Sequence, residues 1–292
     1  MKLLLKFNLI FLLVFAAGLC GAGYVSYNFL QRNAREQVIQ QARLMMGTAL
    51  AARKYTTEQI KPLLDDEQSR NRTFLPQTVP GYAATENFGY LRGSYPDYEY
   101  KEATLNPTNL RDRAVDWETD VINTFRNHAA TKEIVSERST PTGAALFLAR
   151  PIRADEPCLT CHDRPEIAPP AMIRRYGSAN GFGWQRGEII GAQIVSVPMA
   201  VPVQMANAGF QTFMLYLGGV FVLTLIILDV VMVVTIVRPI RLLSSAADEI
   251  SLGKLESAEL PVSGSDEISI LAGSFNRMRR SLVKAMSMLD PE

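Results

Sequence analysis

The chain has 292 residues, with 30 basic and 29 acidic side chains and a net charge of +1. That balance excludes a global electrostatic drive toward nucleic acid. Three cysteines and two histidines offer no Ser/His/Asp or Cys/His constellation, so a hydrolase is not expected, and with no catalytic output domain read in the sequence neither is another enzyme.

Polarity is segmented along the chain. Residues 1–6 contain Lys2 and Lys6 and are followed by an uncharged stretch, Phe7 to Leu30. About 24 residues at about 1.5 Å each can cross a hydrocarbon core about 30 Å thick. Residues 7–30 are therefore expected to form a first transmembrane helix and residues 212–237 a second. Cleavage of the first as a signal peptide, after the small residues Ala16-Ala17-Gly18, is the alternative. Cys20 falls inside this span as a membrane-buried thiol. With Arg238 and Arg241 just beyond the second span, both short basic flanks point to the same side. Both termini are expected in the cytoplasm of a bacterium, with residues 31–211 in the periplasm between two passes of the inner membrane.

Residues 31–61 read as one long helix that has no proline before Pro62. Val38, Ala42, Met45, Ala49 and Ala52 recur at spacings of four, three, four and three, forming one face. Residues 62–108 are rich in turn formers, as in Val79-Pro80-Gly81-Tyr82, and are expected to be irregular, with a short strand entering at Tyr98. A helix starting around Asn109 and carrying Val115, Ile122 and Phe125 ends near His128. Strands are expected at Ile134 to Arg138, Ala144 to Ile152 and Ile189 to Val197, with a turn at Pro141-Thr142-Gly143. This order of elements predicts an α+β domain.

Between the last two strands stands Cys158-Leu159-Thr160-Cys161-His162, placed by its surroundings in a loop. Two cysteines two residues apart with a histidine adjoining are the attachment signature of haem c: Cys158 and Cys161 form thioethers, and His162 ligates the iron. Zinc would need about four ligands, more than are available here. A Cys158–Cys161 disulfide or redox pair would normally require a strand-to-helix setting. One covalently attached haem c is the expectation, and it agrees with a periplasmic location.

For the opposite face of the iron, Met45 is the candidate sixth ligand and Met46 the alternative, since each offers a thioether from the long helix. His128, whose neighbours are polar, is a further alternative. An open iron, water, a lysine or a tyrosine remain. After the motif, the glycines and aromatics of residues 176–184 form either a haem wall or a surface loop. In the second span Asp229 is costly at membrane depth and is expected at a helix–helix interface in a dimer.

Residues 238–292 begin with Arg238-Pro239-Ile240. Ile240, Leu243, Ala247 and Ile250 repeat at three, four and three; Gly253 breaks the helix, and a linker runs through Leu260-Pro261-Val262-Ser263-Gly264-Ser265 to Asp266-Glu267. Ile268, Leu271, Phe275, Met278, Leu282, Ala285 and Leu289 continue the pattern. Two heptad helices of this kind need partners, which predicts a parallel four-helix bundle in a homodimer.

This last stretch resembles the HAMP linker of bacterial transmembrane receptors, in Pro239, Gly253, Asp266-Glu267 and Ser274-Phe275-Asn276-Arg277. Asn106-Pro107-Thr108-Asn109, Cys158 to His162, Tyr176-Gly177 and Gly181-Phe182-Gly183-Trp184 resemble the single-haem c, PAS-like periplasmic sensor family, over about residues 35–200. The resemblance implies a PAS-like antiparallel sheet flanked by long helices, thioethers at Cys158 and Cys161, and axial ligation by His162. It also implies a sulfur ligand from the first long helix, where this chain has methionines and no cysteine. The expected function is a membrane-anchored sensor of redox state or of a diatomic gas. It would signal through a HAMP module (residues 238–292) to a separate cytoplasmic protein, a kinase or similar, since no output module follows in the sequence. The alternatives are a membrane-bound c-type cytochrome that carries electrons, and a scaffold in which haem is only a staple.

Overall fold

The computed structural model describes residues 3–65, 73–254, 259–261 and 264–289. Lys2, residues 66–72 of the turn-rich region, Val262 and Ser263 of the linker, and the side chain of Leu289 lie outside the described residues. The chain divides into two units, Asn28–Gly209 and, separately, Met1–Tyr27 with Phe210–Glu292.

The Asn28–Gly209 unit is built on an antiparallel sheet of β1 (Glu99–Thr104), β2 (Ile134–Thr140), β3 (Gly143–Arg153) and β4 (Ile189–Pro198), in the order β1-β4-β3-β2. The β2–β3 hairpin closes where Thr140 pairs with Gly143, across the expected Pro141-Thr142 turn. Side-chain alternation then sorts two cores. Leu146 and Leu148 of β3 and Val195 and Val197 of β4 face α1 (Leu3–Tyr55), where Val38, Ala42, Met45, Met46 and Ala49 are buried. Phe147, Ala149, Ala192 and Ile194 point the other way, onto Val121, Ile122 and Phe125 of a later helix. Covering both faces explains why β4 is buried along nearly its whole length. Each large side chain removed from water contributes about 1.5–3 kcal/mol. The α+β expectation is borne out.

Three local expectations are corrected. First, the turn-rich region contains α2 (Pro80–Arg92). Pro80 sits in the first turn, where its fixed φ and missing N–H suit a helix start, and Ala84 and Phe88 are buried, with Phe88 stacking on Tyr100 at 4.9 Å. Second, no α-helix begins at Asn109. The Asn109 side chain instead accepts from the Arg111 N–H and starts a 3-10 turn, Leu110–Asp112. The helix proper, α3, spans Asp116–Asn127, and the Glu118 carboxylate accepts from the Val115 N–H at 2.9 Å. Third, the Cys-x-x-Cys-His segment is helical, as α4 (Glu156–His162). Asp155 is extended and Pro157 occupies the first turn, so the same proline rule applies. The helix α5 (Pro170–Tyr176) follows it.

The helix predicted over residues 31–61 is present but changes pitch at Thr56–Ile60, a five-residue π-helical turn. A second π turn, Val233–Val237, separates α6 (Ala200–Met232) from α7 (Arg238–Ser251). Both turns contain the residue four before a proline, Glu58 before Pro62 and Thr235 before Pro239. A proline ring clashes with the carbonyl at that position. Widening the helix there lets it continue through the proline.

The helices spanning Leu4–Asp65 and Ala200–Ser251 each contain a segment long and apolar enough to cross a membrane. The expected interface for Asp229 is found within the chain: Asn8 Nδ2 donates to Asp229 Oδ2 at 3.2 Å. Phe15 and Phe221 stack nearby at 5.1 Å. Gly253, at φ +82°, ends α7, and α8 (Glu267–Leu289) starts where Asp266 Oδ1 accepts from the Ser269 N–H at 2.8 Å. Asn276 of α8 holds the connector by two bonds to the Leu260 backbone, at 3.0 and 2.9 Å.

Candidate functional site

The short helix α4 is fixed at its root. Ala154, buried, donates its N–H to the Glu188 carbonyl at 2.9 Å, and its own carbonyl accepts from the Gly187 N–H at 2.8 Å. On a helix, residues three and four apart share a face, so Cys158, Cys161 and His162 project together. Both thiols are free and partly buried. Because α4 follows β3 after only two residues, the setting is strand-to-helix, and the loop placement used to set aside a thiol pair is withdrawn.

His162 is held more tightly than its neighbours. Its Nδ1 lies 2.7 Å from the Gly181 carbonyl, an acceptor only, so this nitrogen carries the proton. Thr108 Oγ1 approaches the same atom at 3.3 Å. Trp184 covers the imidazole at 4.0 Å with planes 16° apart, and the Trp184 backbone N–H donates to the His162 carbonyl at 3.3 Å. Burial lowers the His162 pKa, against the opposing pull of the Gly181 carbonyl. A neutral ring with Nδ1 protonated presents a lone pair on Nε2, which has no hydrogen-bond partner among the described residues. An imidazole oriented by a carbonyl through its other nitrogen is the usual form of a metal-ligating histidine.

The glycine loop supplies this geometry. Gly181 has φ +83°, and a Cβ there would come within 2.0 Å of Thr108 Oγ1. Its N–H donates to Asn106 Oδ1 at 3.2 Å, so the 106–109 turn and the glycine loop lock together around His162. Within this loop Trp184 packs against the His162 ring.

The other predicted residues are dispersed. Met45 and Met46 are buried in the α1-facing core, Met46 completely. His128 caps the exposed end of α3, with Nδ1 3.3 Å from the Thr124 carbonyl. Arg53 of α1 lies about two turns beyond the methionines. It donates to Glu102 Oε1 at 2.6 Å, Tyr100 donates to the same oxygen at 2.7 Å, and Arg53 is within electrostatic range of the Cys158 thiol. Burial, then Glu102, pushes the Tyr100 hydroxyl above its ordinary range. Nothing in the spacing around Arg53 announces this role. Asn106 and Thr108 lay in a recognisable turn, but their target is distant in sequence.

A sheet domain carrying a metal-competent histidine, set between two candidate membrane helices and followed by paired amphipathic helices, has the architecture of a membrane receptor. Residues 31–198 match the Tll0287-like family, and residues 231–284 match the HAMP domain. The first match spans more than half of the chain, and the chain belongs to the Tll0287-like family. A solved structure described as that of the cyanobacterial heme-protein Tll0287 is similar at 17% identity, covering 57% of this chain and 92% of that one, with a TM-score of 0.37. No curated protein matches the chain. Both resemblances read from the sequence are borne out.

Proposed function

We propose that the chain is a membrane-anchored haem c receptor. The observation that carries this reading is His162, with Nδ1 committed to the Gly181 carbonyl and Nε2 left to bind a metal beside two free thiols on one face of α4. The residues present fit a covalent haem: Cys158 and Cys161 supply the thioether sulfurs and His162 the axial nitrogen. The family relationship supports the same cofactor. When bound, haem would supply a redox-active iron able to exchange a ligand. Trp184 and Gly181 restrict rotation of the His162 ring, and Met45 or Met46 of α1 is the proposed sixth ligand.

The proposed organisation keeps the sequence boundaries: residues 1–6 cytoplasmic, 7–30 and 212–237 transmembrane, 31–211 periplasmic, and 238–292 a cytoplasmic HAMP module. The receptor registers redox state or a diatomic gas, and it acts without catalysis on a cytoplasmic effector. A homodimer is supported by α8. Its buried residues Ser269, Ala272 and Asn276 pack within the chain, while Leu271, Met278 and Leu282 of the heptad stripe stay exposed. That outward apolar row suits a second copy.

The test is to purify the full chain in detergent after expression with a haem c maturation system. Haem should remain bound after denaturation, and its spectrum should respond to redox titration, carbon monoxide or nitric oxide. Rapid electron exchange with a soluble cytochrome, unaffected by deletion of residues 238–292, would establish a carrier instead. Haem that dissociates on denaturation would remove the covalent reading.

A further inference from the structure

Between α1 and the sheet the domain has an open cleft of about 430 Å³. Leu50 of α1 provides an apolar wall, and Gln193 lies at the other side. Three cations, Lys132, Arg150 and Arg153, converge on it, and no acidic side chain lines it among the described residues. Arg150 is occupied by Glu133, through bonds of 3.2 and 2.9 Å. Arg153 is spent on the carbonyls of Ala129, at 2.6 Å, and Gly187, at 3.4 Å. The Lys132 ammonium has no partner among the described residues. A concave site of this size is in the range that binds small molecules, roughly 300–1,000 Å³.

Two of the lining residues, Arg153 and Leu50, lead along the chain toward the cysteine motif and toward Arg53. Arg153 is followed directly by Ala154, the root of α4. Leu50 precedes by about one helical turn Arg53, whose partner is Glu102 and which lies within electrostatic range of the Cys158 thiol. An unpaired ammonium at the rim, an apolar wall and two arginines already held in place suit a ligand with an apolar body and an anionic end.

We propose that this cleft is a carboxylate-binding site, with Lys132 as the group that pairs the anion. One source of that chemistry rests on the haem reading above, since haem c carries two carboxylate side chains on the edge of its ring. The other source is a free carboxylate from solution. Either occupant neutralises Lys132 and adds an anchor between α1 and the sheet.

The experiment compares the full chain with its Lys132→Met and Lys132→Glu variants in detergent, by redox titration across pH and by succinate titration. Lys132 is exposed, so neither variant should disturb folding. If the haem carboxylates occupy the cleft, both variants keep covalent haem, and the midpoint potential falls in Lys132→Met and further in Lys132→Glu. The pH-dependent step of the potential also moves to higher pH, which loss of a merely structural lysine would not cause. If a free carboxylate is the occupant, the potential profile is unchanged, while succinate binds the wild-type chain and loses about tenfold in affinity in Lys132→Met, as expected for a charged hydrogen bond. An unchanged potential profile together with no Lys132-dependent succinate binding overturns the proposal. Absence of covalent haem in the wild-type chain overturns the haem reading alone, and the succinate titration then decides the cleft.

Discussion

The imidazole of His162 and the indole of Trp184 lie face to face, with centroids 4.0 Å apart and planes inclined by 16°. With the Gly181 carbonyl on Nδ1, this leaves the ring little freedom except to present Nε2. Trp184→Leu should therefore loosen the ring at a stability cost of about 1 kcal/mol, the worth of such a stack. Gly181→Ala should cost more, roughly 1–3 kcal/mol for strain alone, because the new Cβ meets Thr108. Thermal unfolding and the haem absorption spectrum read the two effects together. A Gly181→Ala chain with unchanged stability and spectrum would contradict this account of the loop.

Met45 and Met46 both support the core, so their removal has two separable consequences. Each Met→Ala change should cost about 2–5 kcal/mol through the cavity left behind. Only the residue that ligates iron should also alter the low-spin spectrum. Loss of stability in both variants with neither spectrum changed would dismiss the thioether ligand.

Arg53 and Glu102 form a largely enclosed ion pair that ties α1 to β1, with the Tyr100 hydroxyl on the same carboxylate. Glu102→Gln leaves the guanidinium uncompensated, at a cost on the order of 3 kcal/mol for a broken buried pair. Arg53→Met combined with Glu102→Gln should recover part of that loss. Denaturant titration of the four proteins in the cycle measures the coupling, and additive losses would refute it.

Asp112 gives the domain a pH dependence of defined sign. Burial first, opposed by Arg111 and reinforced by Glu102, raises its carboxyl from 3.8 to about 6. Between those values the folded chain holds a proton that the unfolded chain releases, so stability falls as pH rises through the window and levels off above it. Asp112→Asn should flatten this part of the profile. Unfolding midpoints measured from pH 4 to 7 for both proteins provide the check, with identical slopes as the adverse outcome.

Asn276 latches the HAMP connector to α8 through both atoms of its amide, and it is buried. Asn276→Ala strands the Leu260 N–H and carbonyl, at about 1–3 kcal/mol. Limited proteolysis should then cut the connector faster while leaving the Asn28–Gly209 unit intact. Unchanged cleavage would show that the latch is dispensable.

The sequence by itself determined what is local or periodic. The uncharged runs, the heptads of α7 and α8, the β2–β3 hairpin and the Cys158-to-His162 spacing are all set by neighbours within a few residues. The proline before α2 was visible but ambiguous, because Pro80 serves a turn and a helix start equally well until Ala84 and Phe88 find the sheet. The same applies to Pro157, whose surroundings read as a loop and folded as α4. Only the tertiary structure decided which atom His162 presents, since that depends on Gly181, Thr108 and Trp184. It alone brought Arg53 onto Glu102, within electrostatic range of Cys158, and gathered Lys132, Arg150 and Arg153 around one cleft. Such placements are made by side chains meeting across long stretches of chain, where energy depends on distance in space and leaves no period in the sequence.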